Sequence, residues 1–444
     1  MVLLLAMALA GCSSGGSDAD GTSPPPTVAA VAHDHAVGLT TRTFVDSSRP
    51  TPANGSVPAR SDRTLQTTVF YPAAGPSGGT TTPEAPADTS TGPYPLVVLA
   101  HGLGAPEALM APLAVAWASA GYVVAFPHFP RTYADTAGGV DGADVQSQPG
   151  DVSFVIDRVL AESETTGTPL SGLVDGGSIA LAGHSNGGIT TLGAVANSCC
   201  REPRADAAVV FSGVNSPFAD GAYDLGDTPP ILLVHGVDDE LIAYNQAVGV
   251  FNQLAPPKGL LTLDQSGHGD WLVPTDPAFS VVVKATVDFL DAELRGVAAA
   301  LARLPEDQAP GVATMHWAGD ASDEVTVETA PQPETNRMAS VSTRDGLRDG
   351  QTVTVTWSGF LPGKAVNVVQ CAGAGRDGAA TCDITGGQIL HPDPTGEGSL
   401  DLVVHTGTVG TGVCDAGSPC TIVINDAGLQ DEGASIRIPI TFAS

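Results

Sequence analysis

Between about residue 36 and residue 304, short apolar runs rich in β-branched residues alternate with longer segments whose apolar residues recur at helical spacing. This alternation restricts the fold more than any other feature. Strands separated by helices cannot pair as hairpins, so they run mostly parallel while the helices cross back over the sheet. Strands are expected over 63–71, 94–100, 122–127, 178–182, 207–212, 230–234 and 259–263. Several lack polar alternation, as expected when both faces are covered. Helices are expected over 111–120, 151–161, 189–196 and 244–254, with a longer one over 277–303. In the second of these, Val152, Val155, Ile156, Val159 and Leu160 form a helical stripe that reads as core.

Beyond residue 338 the period changes. The segments "QTVTVTWSGF", "KAVNVVQC", "GSLDLVVHT", "CTIVIND" and "ASIRIPITF" alternate apolar and polar residues, with Gly, Pro and Asp between them. That pattern predicts an all-β antiparallel sandwich of about 100 residues over 339–444. Between the two patterns, residues 305–338 are acidic and carry prolines, ending in "VETAPQPETNRM", and are expected to be a linker. Two domains also fit the length of 444 residues, which exceeds what a single core usually fills. The formal net charge of -30 argues against nucleic acid, because phosphate binding depends on lysine and arginine; it reads as solubility.

The N-terminal run "MVLLLAMALAGC" is too short to span a bilayer and reads as a signal segment over 1–12. Leu9-Ala10-Gly11-Cys12 resembles the lipobox of bacterial lipoproteins, which implies acylation of Cys12 and an extracytoplasmic, lipid-anchored or secreted protein. An ordinary cleaved signal is the alternative. No lysine or arginine precedes the apolar run, which points to a start upstream of Met1. Residues 13–35, opening with "SSGGSDADGTSPPPT", suit a flexible tether. Membrane contact is expected only through that anchor, and the protein is expected to be a monomer. Six cysteines remain for an oxidising compartment. Cys371 with Cys382 and Cys414 with Cys420 are close enough in sequence for short-loop disulfides, whereas the adjacent Cys199 and Cys200 could be bridged or free.

The pattern G-x-S-x-G occurs three times, at 11–15, 75–79 and 183–187. The first lies in the tether and the second in a low-complexity loop. Only the third, in "IALAGHSNGG", follows an expected strand and precedes an expected helix. A nucleophilic serine in a sharp strand-to-helix turn needs small neighbours, so Ser185 is the expected nucleophile. A serine hydroxyl requires a base and an acid that orients it. Chain order supplies them after later strands: "HGVDDELIAY" after 230–234, then "DQSGHGDW" after 259–263.

Residues 36–304 thus resemble an α/β-hydrolase, close to the dienelactone-hydrolase-like, platelet-activating-factor-acetylhydrolase-like and polyester-hydrolase-like branch. The resemblance rests on "RTFVDSSRPTPANG", "RTLQTTVFYPA", "LVVLAHGLG", "GHSNGG", "HGVDDELIAY" and "SGHGDW". It implies a serine esterase with Ser185, His268 as base, and Asp239 rather than Asp238 as acid. It also implies an oxyanion hole formed by the backbone N–H groups of Asn186 and Leu103. His184 is expected to point into the scaffold. Only 17 residues, 213–229, separate the strand at 207–212 from the one before the acid, which leaves no place for a large lid. An open site suits short-chain esters or polyesters. His128, at the start of the long loop 128–150, and Trp271 are expected as pocket walls, with plain packing the alternative for Trp271. No metal or cofactor signature is present, since neither zinc spacing nor a nucleotide-binding glycine motif occurs.

Residues 339–444 resemble the neocarzinostatin family, on "GLRDGQTVTVTWSGFLPGKAVNVVQC", "AATC" and "VCDAGSPCTIVINDA". That likeness implies the pairs Cys371–Cys382 and Cys414–Cys420. Family members hold enediyne chromophores in a cleft partly lined by aromatic side chains, but no Phe, Trp or Tyr lies between Cys371 and Cys420 here. A non-catalytic envelope-binding lipoprotein or a small-molecule carrier are the alternatives to the esterase.

Overall fold

The computed structural model describes residues 35–77, 80–219, 221–239, 241–320, 324–326, 337–360, 366–375, 381–383, 388–390, 395–409, 412–426 and 435–443. The signal segment, the lipobox cysteine Cys12 and all of the tether except His35 lie outside them.

The first domain is built on a ten-stranded sheet. Its strands are β1 (Ala36–Asp46), β2 (Arg63–Ala73), β3 (Thr81–Pro83), β4 (Tyr94–Ala100), β5 (Val123–His128), β6 (Val174–His184), β7 (Ala207–Phe211), β8 (Ile231–Gly236), β9 (Lys258–Leu263) and β10 (Ala313–Ala318). They lie in the order β10-β9-β8-β7-β6-β4-β5-β2-β1-β3. From β5 to β9 every pairing is parallel, while β2 against β5, β1 against β2 and β10 against β9 are antiparallel.

Among the described residues the helices are α1 (Glu107–Ser119), α2 (Gln148–Glu164), α3 (Asn186–Ala196), α4 (Tyr244–Gln253), α5 (Pro277–Arg295) and α6 (Ala298–Arg303), and α1 to α5 pack on the two faces of the sheet. Because side chains alternate along a strand, β4 sends Leu96, Val98 and Ala100 into one core with α2, α3 and α4. Val97 and Leu99 enter a second core with α1 and α5. β4 and β7, buried on both faces, are therefore apolar at every position. Local signals set the helix ends. In α5, the Asp276 carboxylate caps the Ala278 N–H, Pro277 takes the first turn, and Gly296 ends the helix at φ 65°.

The expected linker is shorter than 305–338. Residues Ala313–Ala318 form β10, which pairs antiparallel with β9 and closes that edge of the sheet. The reason is packing: Trp317 lies edge-on to Phe289 of α5, and its ring sits against Gly259, where a Cβ would come within 3.0 Å. Farther along, Val325 exchanges two hydrogen bonds with the side chain of Asn252 in α4. Proline and acidic content masked a strand that supplies one more edge to a large sheet.

The C-terminal domain has a three-stranded antiparallel sheet, Met338–Val341, Gln351–Ser358 and Gly398–Val404, and a four-stranded one, Gln388–Leu390, Val366–Ala372, Cys420–Asp426 and Ile436–Ile440. Val353, Val355, Leu402 and Val404 of the first pack with Val366, Val368, Ile422, Ile424 and Ile440 of the second in one core. This is a β-sandwich. Disulfides join Cys371 to Cys382 and Cys414 to Cys420, and Cys199 to Cys200 in the first domain.

Candidate active site

Ser185 stands alone between the end of β6 and the start of α3, at φ 56° and ψ −117°. A side chain in that region of backbone space is strained and persists only when its surroundings hold it. They do so here. The Ser185 N–H donates to the Phe211 carbonyl at 2.9 Å, and its carbonyl accepts from Ile189 at 3.0 Å. A Cβ at Gly183 would lie 2.1 Å from the Gly187 carbonyl oxygen, and one at Gly187 2.1 Å from that of Ala100. Only glycine lets β4, β6 and α3 approach so closely. The helix begins at Asn186, earlier than the sequence pattern indicates, so its positive N-terminus adjoins the serine.

The loop after β4 runs beside this turn. A Cβ at Gly102 would be 3.4 Å from Ser185 Cβ and 3.2 Å from His184 Nδ1. Gly102 and Ala105 close a turn by a 3.1 Å bond, with Leu103 inside it and its side chain exposed. Among the described residues, neither the Leu103 nor the Asn186 backbone N–H has an acceptor in the fold. The loop is fixed from behind by His101, which is fully buried. Its Nδ1 donates to the Gly102 carbonyl at 2.8 Å and its Nε2 accepts the Phe129 N–H at 3.1 Å. Burial holds the His101 pKa down at about 4.

Asp239 and His268 lie in the loops after β8 and β9. His268 Nδ1 stands 2.9 Å from Oδ1 and 2.8 Å from Oδ2 of Asp239. Asp238, the neighbouring carboxylate, is exposed; its N–H donates to the Ser266 carbonyl. Asp239 Oδ1 also accepts the N–H groups of Leu241 and Ile242 at 2.9 Å and 2.8 Å. His235 Nε2 lies 3.1 Å from Oδ2. Burial works to raise the Asp239 pKa, but the hydrogen bonds and charge of His235 and His268 prevail and hold the carboxyl well below the usual range. His184 joins this loop to the serine: its Nε2 is 2.7 Å from the His268 carbonyl oxygen, and the two rings lie 4.9 Å apart. Burial, with the charge of His268, holds His184 at about 3. As a neutral donor it points into the scaffold.

The sequence missed His235 as a second partner of Asp239; its place four residues before the acid, at the end of a strand, was the available signal. One expected pocket wall is corrected. Trp271 is fully buried and stacks on Phe211 at 4.9 Å, edge-on to His184 at 6.1 Å. It packs beneath the histidines because its ring completes the core between β7 and α5. His128 stacks on Tyr133 at 3.9 Å and bonds Glu107 at 3.0 Å. Its partly exposed ring thus braces the first residue of α1. Among the described residues, no group of three or more His, Cys, Asp or Glu could hold a metal ion.

Residues 63–137 match the family described as platelet-activating factor acetylhydrolase, isoform II. Together with the α/β-hydrolase fold, this match defines the first domain as a carboxylic ester hydrolase. A solved structure of a ferulic acid esterase from Streptomyces cinnamoneus is similar over 61% of this chain and 93% of its own, at 24% identity and a TM-score of 0.46. Residues 339–442 match the neocarzinostatin family. Macromomycin of Streptomyces macromomyceticus is 36% identical over 109 residues, 23% of this chain and 75% of that protein. Through its C-terminal domain, the chain belongs to the neocarzinostatin family. That domain and the disulfides suit an extracellular protein.

Proposed function

We propose that the first domain is an extracytoplasmic serine esterase that uses Ser185, His268 and Asp239 in an acyl-enzyme mechanism. The observation that carries this reading is the doubly held His268: Nδ1 on Asp239, and its carbonyl on His184, the residue before Ser185. With Nδ1 committed as a donor, Nε2 is the ring atom left to take the Ser185 proton. Ser185 Oγ attacks the ester carbonyl, and the resulting oxyanion is met by the N–H groups of Leu103 and Asn186 at the N-terminus of α3. Collapse expels the alcohol, which receives the proton from His268 and leaves an acyl-Ser185. Water, activated by the same histidine, then releases the acid. Asp239 stays ionised throughout and steadies the imidazolium.

The short 213–229 segment supports an unlidded site, and thus short-chain or polyester-type esters as substrates. An N-terminal lipid on Cys12 would hold the enzyme at a membrane, with the C-terminal domain as a spacer or adhesive module. Hydrolysis of p-nitrophenyl acetate and butyrate by wild type and Ser185→Ala tests the core of the reading. Turnover in wild type with none in the variant is expected; equal rates overturn it.

A further inference from the structure

The two groups read above as oxyanion donors sit on separate elements, the loop after β4 and the start of α3. Behind them runs a chain of polar side chains that the catalytic reading does not use. Thr190, one turn into α3, places its hydroxyl 3.1 Å from the Asn186 carbonyl oxygen and in short contact with Gln148 Oε1. Gln148, the first residue of α2, donates through Nε2 to Thr132 Oγ1 at 2.7 Å. The Thr132 carbonyl in turn accepts the Gly104 N–H at 2.8 Å, and Gly104 follows Leu103 at φ 68°. Thr132, Gln148 and Thr190 are all fully buried.

A buried primary amide is expensive to desolvate, and an apolar side chain of the same size would pack at that position without the penalty. What the amide adds is a fixed distance between two hydroxyls on different elements. One hydroxyl touches the residue that carries one oxyanion donor; the other belongs to the residue that anchors the turn carrying the second. An oxyanion hole works only when both donors lie 2.7–3.1 Å from one developing charge, a tolerance of tenths of an ångström.

We propose that Gln148, with Thr190 and Thr132, is a positioning relay that sets the separation of the Leu103 and Asn186 N–H groups. The inference rests on the reading of those two groups as the oxyanion hole. The relay touches neither substrate nor His268, so its loss weakens stabilisation of the transition state and leaves ground-state binding and the base unchanged.

The test uses the full chain with Thr190→Val, which removes the hydroxyl at constant shape, and Thr190→Ser, which keeps it. Four quantities are measured: kcat and KM for p-nitrophenyl butyrate, the pH profile of kcat/KM, the melting temperature, and inhibition by a trifluoromethyl ketone of matching acyl length, whose Ser185 adduct carries an oxyanion. Removing an entire donor typically lowers kcat 10²–10³-fold. A misplaced donor should lose roughly tenfold. Thr190→Val should therefore show about that loss in kcat, an equal loss in inhibitor affinity, and an unchanged KM and pH profile, while Thr190→Ser stays within about twofold of wild type. Should Thr190→Val fail to fold, Gln148→Asn, whose side chain is one methylene shorter, must show the same pattern. Wild-type kcat in a folded Thr190→Val or Gln148→Asn protein overturns the relay, as does a kcat loss without loss of inhibitor affinity. A wild type that neither hydrolyses the ester nor binds the ketone overturns the esterase reading itself, and the relay with it.

Discussion

His268 Nδ1 lies within 2.9 Å of both carboxylate oxygens of Asp239, 29 residues earlier in the chain. The same carboxylate stands 3.1 Å from His235. Asp239→Asn should therefore lower kcat for p-nitrophenyl butyrate by about 10³–10⁴-fold, because an amide cannot hold the required tautomer or steady the imidazolium. Asp238→Asn should leave kcat within about twofold, since surface substitutions away from a site change little. A large loss in Asp238→Asn with none in Asp239→Asn would reverse the assignment.

Gly187→Ala places a methyl 2.1 Å from the Ala100 carbonyl oxygen. Neither β4 nor α3 can give way without moving Asn186. Destabilisation at the upper end of the overpacking range, about 3 kcal/mol, is expected together with loss of esterase activity. Thermal unfolding and kcat, measured on the same preparation, check both.

His101 is held at about 4 and His184 at about 3, in both cases chiefly by burial. An unfolded histidine titrates near 6.5, so below that pH the unfolded chain binds protons that the folded chain refuses. The stability these neutral histidines contribute is complete above about pH 6.5 and is lost as the pH falls toward their folded values. The slope is about 1.4 kcal/mol per pH unit for each histidine. Urea unfolding at pH 7 and pH 5 should show the decline, and His101→Gln should make it shallower. A pH-independent midpoint in wild type would contradict the expectation.

Trp271 is a core residue, so its replacement should act on stability. Trp271→Ala is expected to lose about 3–5 kcal/mol, the range for removing a large aromatic from a core. Trp271→Phe should retain most of the stability and leave KM for p-nitrophenyl acetate unchanged. A KM shift in Trp271→Phe without a change in melting temperature would restore it as a pocket wall.

The sequence alone determined the parts of this protein that depend on local period and chain order. Alternation of apolar runs and helical stripes defined a parallel sheet with crossover helices, because each element's pattern is written within its own residues. Glycine spacing around Ser185 between a strand and a helix singled out one of three equal pattern matches. The alternating period after residue 338 marked the sandwich. Tertiary structure decided what depends on elements far apart in the chain. The family pattern favours Asp239 over Asp238 as the acid, but their surroundings come from the turn after β8, which buries Asp239 against His268 and exposes Asp238. Trp271 reads as a wall or as packing until Phe211 is found stacked on it. β10 was hidden in an acidic, proline-bearing stretch because its strand character comes from the open edge of β9 that it covers. Gln148 fell in the expected loop 128–150, ahead of the expected helix; its place between Thr132 and Thr190 exists only once α2, α3 and the loop after β5 have packed together. Hydrophobic period is a property of neighbours in sequence, whereas burial and hydrogen-bond partners are properties of neighbours in space.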